Sequence, residues 1–115
     1  MEESMKLVFS IMHDEDAPRV MDELNKNGFM VTKMCSSGGF LKAGNTTLLV
    51  GVDETRVDEV LLIIEAKSKS RKQLVNTSLT SGSALGGGVY MSYPVEVTVG
   101  GATVFVVDVE KFIKY

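Results

Sequence analysis

Apolar and polar positions change period several times along this chain, and each change marks an element. Lys6 to Met12 (K-L-V-F-S-I-M) is largely apolar on both faces, which predicts a central first strand. Asp14, Glu15 and Asp16 then supply cap candidates and negative charge for a helix N-terminus. Pro18 falls in that helix's first turn, where its missing N–H costs little. Val20, Met21 and Leu24 form an apolar stripe, and Asn27-Gly28 is the stop signal. Phe29 to Cys35 predicts a second strand and Thr46 to Val52 a third. Thr55 with Asp58 resembles a capping box, using Asp where Glu is commoner. Val57, Val60, Leu61 and Ile64 follow at i, i+3, i+4 and i+7, one face of a helix. Lys67, Lys69, Arg71 and Lys72 read as a solvated, dipole-complementing helix end. Val95 to Val99 alternates, Gly100-Gly101 suits a turn, and Thr103 to Val109 returns, which predicts a closing hairpin.

Two segments escape this pattern. Residues 36–45 and 76–92 are long, rich in Gly, Ser and Thr, and predict functional or mobile loops. The element order β-α-β-β-α-β with an extra hairpin strand predicts an α+β, ferredoxin-like single domain over residues 1–115. Its antiparallel sheet would carry helices on one face only. The first and third strands lack clean alternation, so the opposite face stays apolar and calls for a symmetric oligomer.

Composition narrows the function classes. At 115 residues and 44% hydrophobic, with a mean hydropathy of +0.13, the chain suits one packed globule. A net charge of -3 argues against a broad phosphate-neutralising surface for nucleic acid. The longest apolar run, Val60 to Ile64, is too short to span a bilayer. The acidic start Met1-Glu2-Glu3-Ser4 lacks signal-peptide character, so the cytoplasm is the expected compartment. The single cysteine, Cys35, excludes an internal disulfide framework and reads as packing rather than redox chemistry.

The candidate chemistry lies in residues 32–47. Three glycines, an aromatic, an amide and several hydroxyls suit a pocket for a small, flat, hydrogen-bonding anion. Gly39 to Thr46 narrowly misses the phosphate-loop pattern, because Asn45 stands where the lysine belongs and a strand follows rather than a helix. An NTPase is therefore rejected. His13, the only histidine, has no nucleophile spaced around it and reads as a surface or capping residue. Helix-start electrostatics account for the acidic trio without a metal. Nothing assembles a catalytic set, and a non-enzyme is expected.

The segments Thr32-Lys33, Gly38 to Thr47, Ser70 to Val75 and Tyr93 to Val106 resemble the PII-like cyclic di-AMP receptor family. The resemblance implies a PII-like homotrimer of ferredoxin-like subunits, a cytosolic signalling protein without known catalysis. Its ligand, cyclic di-AMP, would lie between subunits beside the two loops. Carried over, the pocket would use Thr32, Gly39, Phe40, Leu41, Asn45 and Gly51, with Phe105 from an adjoining subunit. Thr32 and Asn45 can hydrogen-bond a base edge or phosphate oxygen. Gly51 permits close approach of a ligand, or else marks a bulge. Phe40 and Phe105 can cover adenine faces, while core packing serves Phe105 equally well. Met30 replaces a family arginine and Lys114 a glutamine; Lys114 could restore a positive charge near a phosphate. Those two departures keep open a sensor of ATP or ADP, and a ligand-independent interaction module is a further alternative.

Overall fold

The computed structural model describes residues 4–34, 44–79 and 91–115. They form two compact units, Met1–Lys69 with Gly100–Tyr115, and Ser70–Val99.

In the larger unit the strands are β1 (Met5–His13), β2 (Val31–Met34), β3 (Asn45–Asp53) and β6 (Ala102–Asp108), with helices α1 (Ala17–Lys26) and α2 (Val57–Ser68). The sheet order is β2-β3-β1-β6, and every neighbouring pair is antiparallel. This arrangement is compatible with the split βαβ pattern of ferredoxin-like folds. Val8, Ser10 and Met12 of β1 and Leu48, Val50 and Val52 of β3 are buried on one face. They form a core with Val20 and Leu24 of α1 and Val60 and Ile64 of α2. The apolar periodicity of both helices thus lands where the sequence pattern put it.

The helix boundaries have local causes. Gly28 takes φ +85, a conformation that other residues adopt only with strain, and Phe29 N–H donates to Leu24 O at 3.0 Å. Just beyond, Arg56 reaches back from the residue before α2: its guanidinium lies 4.1 Å from the Phe29 ring centroid and donates to Asn27 O at 3.0 Å. That strut holds the connection from α1 into β2.

At the start of α2 the expected Thr55–Asp58 box gives way to another device. Asp53 ends β3 and accepts the Thr55 N–H at 3.0 Å, capping a 3-10 turn (Glu54–Arg56) that leads into α2. The Thr55 hydroxyl and then its backbone N–H hold the Asp53 carboxyl below its usual range. The cap lies earlier because the strand's last carboxylate reaches the turn first.

The smaller unit corrects the sequence reading. β4 (Arg71–Leu79) and β5 (Met91–Val99) make a two-stranded antiparallel arm, from Arg71↔Val99 to Leu79↔Met91. Arg71 and Lys72 therefore belong to a strand rather than to a helix end, and residues 76–79, 91 and 92 are strand rather than loop. The expected hairpin across Gly100-Gly101 does not form. β5 pairs with β4, and β6 pairs with β1 over seven positions, from Lys6↔Asp108 to Met12↔Ala102. Both glycines do adopt positive φ, 80 and 97, but they redirect the chain instead of closing a hairpin. The competition favours β1 because β6 packs Val104 against the larger unit's core. Pro94, which cannot donate to a ladder, is tolerated because both strands of the arm are edges of their sheet.

Candidate functional site

Strand register places several candidate residues on one surface. Side chains alternate across a strand, and Val8, Ser10 and Met12 face the helices, so Leu7, Phe9, Ile11 and His13 face away. Their partners share that helix-free face: Gly51 opposite Leu7, Phe105 opposite Phe9, and Asn45 opposite His13. Thr32 joins them through its pairing with Leu49, itself opposite Phe9. Phe105, Phe9, Leu49 and Thr32 consequently form one row across all four strands. The face is apolar along this row, and Phe105 is 55% exposed.

Within one chain these residues do not converge on one point. Thr32 and Gly51 are diagonal neighbours, about 7–8 Å apart by sheet geometry. Asn45 is six residues from Gly51 on β3, roughly 20 Å along the strand. Phe105 is separated from Thr32 by two intervening strands. Gly39, Phe40 and Leu41 lie outside the described residues, as does Cys35. Lys114 is exposed in the C-terminal segment beyond β6, and Met30, just before β2, is 82% exposed.

Gly51 is informative for what surrounds it. β1 and β3 pair without interruption from Met5↔Asp53 to His13↔Asn45, so there is no bulge at this position. Its φ is not in the left-handed region, and among the described residues a Cβ added there would meet no atom within 4 Å. Neither backbone conformation nor packing among the described residues requires glycine at position 51. Space on the outer face does not come from crowding inside the protein.

Asn45 is held by a clamp that the sequence concealed. Asp14 N–H donates to Gly44 O at 2.8 Å, and the Thr46 hydroxyl donates to the Asp14 carboxylate. The residues on either side of Asn45 are thus tied to the β1–α1 turn, which fixes the start of β3. By sequence Asp14 fits helix-start charge, and no local signal links it to a threonine 32 positions away. Asp16 does occupy the N-cap position of α1, but its side chain makes no cap hydrogen bond and accepts from Arg19 instead.

Beside Asn45 the surface opens into a cleft of about 420 Å³, walled by the end of β1 with His13 and by Gly100-Gly101 leading into β6. This volume is within the range of small-molecule sites. His13 as a cleft residue was missed, although antiparallel pairing of two equally long strands sets it opposite Asn45. Among the described residues, no group of three His, Cys, Asp or Glu side chains is placed to hold a metal ion.

The comparisons with known proteins give this geometry a context. The family described as cyclic-di-AMP receptor matches residues 5–115. This chain belongs to the cyclic-di-AMP receptor family. The match of this receptor-family chain spans both compact units, including the arm. Its fold is similar to the crystal structure of a functionally unknown protein from Pediococcus pentosaceus ATCC 25745. The identity is 38% and the TM-score 0.75, over 97% of this chain and 98% of that one.

Proposed function

We propose that this chain is a PII-like signal transduction protein that binds cyclic di-AMP at clefts between the subunits of a homotrimer. The observation that carries the proposal is Gly51: an exposed glycine in a regular strand, not required by the packing of the described residues, next to Thr32 on an apolar face. A surface kept low there suits an occupant from outside the chain. Thr32 and Asn45 supply hydrogen-bonding groups on the same face, and Phe105 supplies an aromatic one. The separation of Asn45, Phe105 and Thr32 within one chain favours sites completed by a neighbouring copy. Gly39, Phe40, Leu41 and Lys114 complete the proposed set. Ligand binding would rearrange the segments that join β2 to β3 and β4 to β5, and so alter what a downstream protein meets. The proposed setting is the cytoplasm, and the role is reception rather than catalysis.

Titration calorimetry with cyclic di-AMP, cyclic di-GMP and ATP tests this reading, alongside sedimentation analysis for a trimer. Saturable heat for cyclic di-AMP and a trimeric mass are expected. No cyclic di-AMP heat at tens of micromolar protein removes the proposal.

A second reading, a sensor of ATP or ADP, is favoured by Met30. It stands, strongly exposed, two residues before Thr32, where the family resemblance places an arginine. Methionine offers neither charge nor a planar donor fork. Under this reading ATP or ADP binds more tightly than cyclic di-AMP, and Met30→Arg reverses that order.

A further inference from the structure

We infer that the cleft between His13 and Gly100-Gly101 takes one purine base of the dinucleotide, and that His13 is a ligand-contacting residue beside Asn45. This rests on the cyclic-dinucleotide reading above and extends it to a group outside the carried-over set.

Three observations converge on the cleft. His13 and Asn45 are directly opposed at the open end of the β1–β3 ladder, so both project from the same face only about 5 Å apart at Cβ. Both line the same opening of about 420 Å³. The opposite wall begins with two glycines at φ 80 and 97 and continues through Ala102 and Thr103. The result is a cleft with a carboxamide and an imidazole on one side and two glycines followed by small side chains on the other.

Charge decides which part of the ligand it accepts. His13 is followed by Asp14, Glu15 and Asp16, so a phosphate placed here would meet an acidic neighbourhood. Asp14 accepts from Thr46 and Asp16 from Arg19, and neither lines the cleft, but their negative field remains. A neutral purine avoids that repulsion. A carboxamide pairs well with the adenine edge, which offers an acceptor nitrogen beside an amino donor. The imidazole ring then serves as a flat wall or as a hydrogen-bond partner to a second ring nitrogen. The Asp14 clamp on Gly44 and Thr46 supplies the rigidity that such a contact needs.

Because His13 is the only histidine, its ring resonances report the cleft without assignment. Titrating full-length protein with cyclic di-AMP is expected to shift the His13 ring signals through the purine ring current, upfield if the rings stack and downfield if they meet edge to edge. The shift should saturate with the calorimetric Kd, whereas inorganic phosphate should leave the signals in place. His13→Ala is expected to weaken cyclic di-AMP about 3- to 10-fold with an unchanged melting temperature, and His13→Asn to recover part of the loss. Unmoved ring signals and wild-type affinity in His13→Ala, while Asn45→Ala loses binding, would overturn the His13 assignment and leave the receptor reading standing. A shift caused equally by inorganic phosphate would overturn the purine assignment. Wild-type protein that binds no cyclic di-AMP overturns both together.

Discussion

Replacing Gly51 by alanine separates what the chain needs from what its ligand needs. Among the described residues the new methyl meets nothing within 4 Å, and φ is ordinary for an L-residue. Stability should therefore not fall. Reduced freedom of the unfolded chain should instead raise it by about 0.4–1 kcal/mol, or roughly 2–6 °C for a domain of this size. An occupant seated against bare backbone would meet the methyl directly. Overpacking of that kind costs about 1–3 kcal/mol, which corresponds to roughly 5- to 150-fold weaker cyclic di-AMP binding. Thermal melts of ligand-free protein, sedimentation and calorimetry on one preparation give all the required readouts. The expected result is an equal or higher melting temperature, unchanged mass and a large loss of affinity. A melting temperature lowered by several degrees would show that the chain itself requires glycine. Full affinity would show that no ligand approaches this strand, and either result refutes the reasoning.

Other perturbations probe the remaining parts. Thr32→Ala and Asn45→Ala should each weaken cyclic di-AMP at least tenfold by calorimetry, with the oligomer intact by sedimentation. Leu48→Ala empties a fully buried site at the centre of β3 and should cost about 2–5 kcal/mol in urea denaturation. Asp53 stabilises the 3-10 turn through its ionised form, so its contribution is complete above its ordinary value of 3.8 and fades as pH falls through its lower folded value. The melting-temperature gap between wild type and Asp53→Ala should hold steady from pH 7 to about pH 5 and narrow only below 3.8.

Sequence reasoning succeeded where an element is specified by its own residues. The stripe Val57-Val60-Leu61-Ile64 contains enough information to orient α2, and Asn27-Gly28 enough to stop α1. It failed where the choice lay between partners. Val95 to Val99 alternates perfectly, but alternation says nothing about whether β4 or β6 lies beside it. Arg71–Leu79 has no clean period, so it became a strand only through pairing with β5. The site followed the same division. Gly51, Asn45 and Thr32 could be singled out from residue type and resemblance, and their common face then followed from register. The Asp14 clamp could not, because a hydrogen bond across 32 positions leaves no trace in local pattern.

The chain departs from its four-stranded frame after Lys69 and rejoins it at Gly100. At the point of departure Ser68 O accepts the Gly101 N–H, so the two ends of the detour are stapled to each other. A thirty-residue excursion anchored in this way is an exchangeable cassette. It can be shortened, lengthened or swapped for a tight turn while β1 and β6 keep their alignment.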